Sequence, residues 1–320
     1  MSDVEYLVRK SKEFDKAAIS KLISAIEENP LKSFQILKYF VRDEFVKTHV
    51  IGFTGSAGVG KSTLVSAVTQ LLSQEGYRVA ILAVDPKSPF TGGAILGDRV
   101  RMKSLPQTAF MRSMTTYEEE ALPLKVLLCV ELLEGIGFDY ILIETPGVGQ
   151  FNTRVVKTAD TVAVVLMPEA GDEIQALKAG IMEIGDIYVI NKADLPGANI
   201  TFGQVEFAIS GVVKNGWTPK IVMTSAISLH NVKPLIQVIK ERENHIMKTD
   251  FMQNKRKARR SLELELTILE TVKEGIKEIL KNRPELLTAF EKVLKGNENL
   301  TNLLTTVKEN LINIDPGINQ

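Results

Sequence analysis

The 320-residue chain has one cysteine, Cys129, so no disulfide can form within it, and its chemistry suits a reducing compartment. An excess of one charge is also missing. Thirty-nine Lys and Arg balance 39 Asp and Glu, and a chain without a net field is not built to capture nucleic acid or an anionic membrane nonspecifically. No apolar run approaches the roughly 20 residues that a membrane span needs. The charged N-terminus lacks the apolar core of a signal peptide. These absences lead us to expect a soluble, cytoplasmic protein with neither a nucleic-acid nor a membrane partner. Cys129 lies in the apolar helical stretch 123–130 and reads as a buried structural thiol. The 44% apolar content is enough for one large domain and an accessory region.

The most informative string present is Gly55-Ser56-Ala57-Gly58-Val59-Gly60-Lys61-Ser62, which fits the phosphate-binding pattern G-x-x-x-x-G-K-[ST]. The apolar, β-branched run 49–54 precedes it. Leu64, Val65, Val68, Leu71 and Leu72 follow at helical spacing. Strand, glycine loop and helix are the context the motif requires, and a glycine-rich turn that binds nothing would not need the Lys-Ser pair. Residues 55–63, from Gly55 through Thr63, are therefore the expected phosphate contacts. Lys61 reaches the outer phosphates and the Ser62 hydroxyl is a ligand for Mg²⁺.

Three regions separate along the chain. Residues 1–45 are helical, with Leu22, Ile23, Ile26, Phe34, Leu37 and Phe40 on a buried face and a break at Asn29-Pro30. Residues 46–232 alternate helices with apolar strands at 79–84, 109–112, 140–143, 161–167, 187–190 and 220–223. Runs this continuously apolar suit a mostly parallel, doubly wound α/β sheet with its ligand at the carboxyl ends of the strands. Residues 233–320 are charged helix. Within it Leu262, Leu266, Leu269, Ile276 and Leu280 form an apolar seam of the kind that packs on the core or on a second subunit, making a homodimer the expected assembly. The basic run 255–260 reads as a solvated helix face, since no aromatics interleave with it.

The strand at 187–190 ends in Asn191-Lys192-Ala193-Asp194, an N-K-x-D string. Guanine presents a ring N–H and an exocyclic amine side by side, and one carboxylate accepts both. Adenine places an acceptor at the matching position. Asn191, Lys192 and Asp194, with Ser225, Ala226 and Ile227 after the last strand, thus favour GTP and GDP over adenine nucleotides. Two other strands end in acids, Asp85 and Glu144. Glu144, in the string Glu144-Thr145-Pro146-Gly147, occupies the place where a carboxylate holds Mg²⁺ directly or through water. From pattern alone, Asp98 fits either a helix N-cap or a metal ligand. Val148 follows Gly147 where many small GTPases carry a water-orienting glutamine, so intrinsic turnover is expected to be slow, on the order of 10⁻⁴ to 10⁻² s⁻¹.

Taken together, these strings resemble the MeaB/ArgK-type P-loop GTPases, which chaperone adenosylcobalamin-dependent acyl-CoA mutases such as methylmalonyl-CoA mutase. The resemblance covers nearly the whole chain and rests most specifically on residues 83–86, 91–102, 144–150 and 170–180. It implies that Ser62, Asp85, Asp98 and Glu144 form the Mg²⁺ environment and that Lys61, Asp98 and Lys178 serve catalysis. It also implies that Asp172, Glu173 and Lys178 lie on an additional switch that answers the partner, and that the C-terminal helices form a homodimer. The chain departs from the family pattern at Pro146, at Asn152, and over 113–120, where a Ser/Gly-rich stretch is usual after the strand ending at Arg112. Two other readings compete. A nickel-type metal-insertion GTPase wants a His- or Cys-rich tract, whereas this chain has scattered His49, His230 and His245. An ATP-dependent kinase of amino-acid transport is disfavoured by Asp194.

Overall fold

The computed structural model describes residues 3–40, 47–86, 105–116, 123–145, 153–168, 184–248 and 250–282, and positions 288, 291–293, 295, 299, 301–305 and 308. The chain divides into two compact units, Met1–Glu263 and Leu264–Gln320.

The described strands of the first unit form one seven-stranded sheet, ordered β3-β2-β4-β1-β5-β6-β7. They are β1 (His49–Thr54), β2 (Val79–Pro86), β3 (Ala109–Thr116), β4 (Tyr140–Glu144), β5 (Thr161–Leu166), β6 (Ile187–Ile190) and β7 (Lys220–Met223). Every neighbouring pair is parallel. β1, β4, β5 and β6 are buried at every position, which is why their sequences run apolar without alternation.

Helices α4 (Lys61–Gln74) and α8 (Val232–Met247) cover one face. Leu64, Val68 and Leu72 of α4, with Leu235 and Ile239 of α8, close a core over Ile51, Phe53, Leu142, Val165 and Val189. Helix α8, assigned from sequence to the C-terminal region, thus packs on α4 and on β5, β6 and β7. Helices α5 (Leu124–Ile136) and α6 (Thr153–Thr158) lie on the sheet as well, α5 against β4 and α6 against β1 and β5. α5 is buried almost all round because α2 (Lys16–Glu28) packs outside it. Arg112 of β3 pins α2 through Glu27 and Ser24. The N-terminal helices α1 (Asp3–Lys12), α2 and α3 (Phe34–Leu37) bury Leu22, Ile23 and Ile26. Asp15 caps α2, accepting from the Ala18 N–H at 2.9 Å. Burial pushes the Cys129 thiol far up and leaves it inert. Among the described residues no helix is long and apolar enough to cross a membrane.

Three expectations need correction. Strand β3 does not end at Arg112 but runs to Thr116, paired with β2 as far as Pro86, so part of the 113–120 stretch is strand; 117–120 lie outside the described residues. The apolar pattern fades there, but main-chain pairing continues without it. The basic run 255–260 is a solvated face only in part. Helix α7 (Ala198–Ile209) leaves Ile200 and Phe207 exposed, whereas α9 (Phe251–Asn282) buries Arg259 and half-buries Lys255. Lys255 Nζ donates to the Val156 carbonyl at 2.8 Å, and Arg259 pairs with Glu134 at 2.6 Å and Asp160 at 3.0 Å, while Lys257 and Arg260 stay exposed. The expected seam on α9 divides as well: Leu262 and Leu266 are buried, Leu269 is exposed with Leu264, Ile268 and Val272, and Leu280 has no described side chain.

Candidate functional site

A parallel sheet brings every carboxyl end to one edge, and the described residues among those singled out above gather there. β1 stands between β4 and β5, so the loop after it has Glu144 on one side and the end of β5 on the other. Phe53 is in register with Glu144. The Thr145 N–H and hydroxyl both donate to the Phe53 carbonyl, at 3.0 and 3.2 Å, fastening the two strand ends together.

Gly55, Gly58 and Gly60 all have positive φ. Gly60 is the decisive one. At φ +90° it caps α4, and a Cβ there would stand 2.5 Å from Asn191 Nδ2. We expect Gly60→Ala to weaken guanine-nucleotide binding about ten-fold, from left-handed strain plus displacement of Asn191, with far-UV dichroism unchanged. Titration calorimetry against GDP would check it. Lys61 is buried, and its ammonium donates to the Gly55 and Ser56 carbonyls, both at 2.8 Å. The Ser62 hydroxyl donates to the Glu144 carboxylate. Asp85 ends β2, the strand beside β4, and is half-buried. Ala57, Gly58 and Thr63 are exposed, and Val59 is buried.

Ser62, Glu144 and Asp85 offer hard oxygen donors only. That set suits Mg²⁺, which takes one or two carboxylates and completes its shell with water and substrate phosphate. Among the described residues no cluster of three or more His, Cys, Asp and Glu offers an all-protein cage.

Asn191 joins the guanine string to the glycine loop. Its amide nitrogen donates to the Val59 carbonyl at 2.9 Å, and its amide oxygen accepts from the Ala226 N–H at 3.1 Å and the Thr224 hydroxyl at 3.3 Å. One buried side chain thus ties the loop after β1 to the loop after β7. The sequence marks Asn191 only as part of N-K-x-D, and no motif in it marks Thr224. Lys192 adopts φ +57°, with its amine 3.7 Å from Met167 Sδ. Asp194 is exposed. A hydrogen bond from Ser225, then its own backbone N–H and the charge of Lys192, hold its carboxyl below the ordinary range. Ser225 and His230 exchange main-chain hydrogen bonds of 3.1 Å each, closing a loop with Ile227 exposed near its tip. Asp98, Asp172, Glu173, Lys178, Pro146, Gly147, Val148 and Asn152 lie outside the described residues.

The family model described as methylmalonyl Co-A mutase-associated GTPase MeaB matches residues 19–281. The chain belongs to this family. It is a GTPase, and membership implies guanine-nucleotide binding. A Pyrococcus horikoshii relative that carries a GTPase name is 38% identical over 302 residues, 92% of each chain. The Mus musculus methylmalonic aciduria type A homolog, mitochondrial, is 32% identical over 266 residues, 78% of this chain and 62% of that protein. The crystal structure of an LAO/AO transport system kinase superposes with a TM-score of 0.67 at 22% identity, over 97% of this GTPase and 99% of that chain, a likeness of fold.

Proposed function

We propose that this GTPase binds GTP and GDP with Mg²⁺ and uses slow hydrolysis to gate an adenosylcobalamin-dependent acyl-CoA mutase in the cytoplasm. The observation that carries the nucleotide part is the Asn191 amide, which holds the glycine loop and the N-K-x-D segment on one sheet edge. Backbone N–H groups of 55–63 and Lys61 would cradle the phosphates, Asp194 would accept from guanine, and Ser225, Ala226 and Ile227 would flank the base. Ser62, Asp85, Asp98 and Glu144 would hold Mg²⁺, which would supply neutralising charge to the phosphates. The mutase part draws on the family description and on the mouse relative's name.

Reciprocal coupling tests it. Addition of an adenosylcobalamin-dependent methylmalonyl-CoA mutase should raise GTP turnover, and its affinity should differ between GTP-analogue and GDP states. Lys178→Ala should abolish that stimulation. A mutase that neither binds nor changes the rate in any nucleotide state would sink the chaperone role and leave the GTPase.

We also propose a homodimer through residues of the C-terminal region. Leu264, Ile268 and Val272 recur every fourth residue on α9 and are at least half exposed. Ile268→Glu should convert a dimer to a monomer in light scattering. A wild-type protein that is monomeric at micromolar concentration would refute the assembly.

A further inference from the structure

We propose that Lys255 and Arg259 are positioning residues for GTP hydrolysis, acting through α6 and β1 rather than on the nucleotide. Helix α6 spans only Thr153–Thr158. A six-residue helix is far below the roughly 12 residues at which a helix persists unaided, so its neighbours set its place. On one side it rests on β1. Val155 is fully buried, and a Cβ at Gly52 would stand 2.3 Å from its Cγ2, so only glycine allows this approach. Gly52 lies in the strand that leads into the glycine loop.

On its other side α6 meets α9. The last carbonyls of a helix need donors from outside it. Lys255 Nζ supplies one to Val156 at 2.8 Å. One turn along α9, Arg259 donates from Nη2 to Asp160 and from Nη1 to Glu134 of α5. The second carboxylate oxygen of Asp160 accepts from the Val50 N–H at 2.9 Å, and the Asp160 N–H donates to the Val50 carbonyl at 2.8 Å. Two cations on one face of α9 therefore grip β1, through Asp160, and α6, the next described element after the strand that ends in Glu144.

Stability alone is a weak account of this arrangement. Buried ion pairs often contribute no more than apolar packing of the same volume, and what they add is a defined register. Register is what hydrolysis needs, since misplacing reacting groups by about 1 Å can cost on the order of 100-fold in rate. In P-loop GTPases the γ-phosphate, which GDP lacks, acts on the segment following the strand-end acid. Here that segment begins at Thr145, and α6 is the next described element along the chain. A shift of α6 should therefore slow the chemical step and leave GDP binding alone.

The test is a kcat against GDP-affinity split in the full chain, and it rests on the GTPase activity above. Lys255→Met should lower kcat about ten-fold, leave the GDP Kd within about two-fold and the melting temperature nearly unchanged, and Lys255→Arg should restore most of the rate. Val155→Ala, which loosens the same helix from its other side, should show the same split. Wild-type turnover in both variants would overturn the proposal. So would kcat and GDP affinity falling together, or a Lys255→Met chain that does not fold, because Lys255 would then be a structural anchor. If wild-type protein fails to bind GDP, the guanine site has failed instead.

Discussion

Replacing Lys61 with alanine is expected to lower GTP turnover on the order of 10³-fold, ~4 kcal/mol of transition-state stabilisation. Phosphoryl transfer leaves the protein little covalent chemistry, so positioning and charge supply nearly all of the catalysis. Lys61 is placed for both. It opens α4, and its amine already stands at the mouth of the loop, 2.8 Å from the Gly55 and Ser56 carbonyls. The alanine variant loses the cation and leaves those two carbonyls without that donor, at a cost of about 1–3 kcal/mol for each that water cannot reach. The apolar face of α4 is untouched, so a thermal melt reads the cost of those two carbonyls apart from the loss of rate. Single-turnover hydrolysis with saturating GTP and Mg²⁺, beside a thermal melt, separates the two effects. Ser62→Ala should fail differently. It removes the hydroxyl bonded to Glu144, and the Mg²⁺ concentration for half-maximal rate should rise. Turnover within about three-fold of wild type for Lys61→Ala would mean that the loop does not serve phosphates.

What the residues disclosed and what they withheld divides along a physical line. The expected strand 49–54, the loop 55–60 and the following helix are local facts, set by apolar spacing and glycine. Strand β1 ends at Thr54 and α4 starts at Lys61. The parallel sheet was equally legible, because strands covered on both faces must be apolar throughout. Contacts between distant segments were not. Nothing in Asn191-Lys192-Ala193-Asp194 says that the asparagine reaches the Val59 carbonyl, since β5 separates the two strands and only the assembled edge brings them together. The basic run 255–260 misled for a related reason. Its partners Glu134, Asp160 and the Val156 carbonyl belong to other elements, and a run of cations looks solvated until those partners are in place. One signal was available: Asp160 and Asp186 each stand immediately before a buried strand, where an acid is costly without a partner, and each meets an arginine, Arg259 and Arg242.

Asp194→Asn is expected to weaken GTP and GDP binding on the order of 100-fold and to favour the xanthine nucleotides. Two charge-assisted hydrogen bonds from one carboxylate to the ring N–H and the amine of guanine are worth about 1.5–3 kcal/mol each, and an amide cannot accept both. Xanthine carries a carbonyl where guanine carries the amine, so the new amide can donate to it while its oxygen accepts from the ring. The carboxylate is prepared for its task. Ser225, itself fixed by main-chain bonds to His230, donates to it and lowers its pKa, with Lys192 adding to the effect. The sign of the pH dependence follows. A depressed carboxyl group keeps its charge as pH falls, so binding that needs the charge is complete above the folded-state pKa and is lost only as pH drops through it, below the ordinary value of about 4. Asp194 should therefore add no pH dependence of its own between about pH 5 and 8, leaving only that of the terminal phosphate of GDP, whose second pKa lies near 6. The backbone at this edge is held by Asn191, Thr224 and Ala226, which the substitution leaves in place, so the altered base preference should appear without loss of phosphate contacts. Competition between GDP, XDP and ADP for wild type and variant decides it: unchanged ranking in the variant, or a wild type that binds ADP as tightly as GDP, would remove Asp194 from the base site.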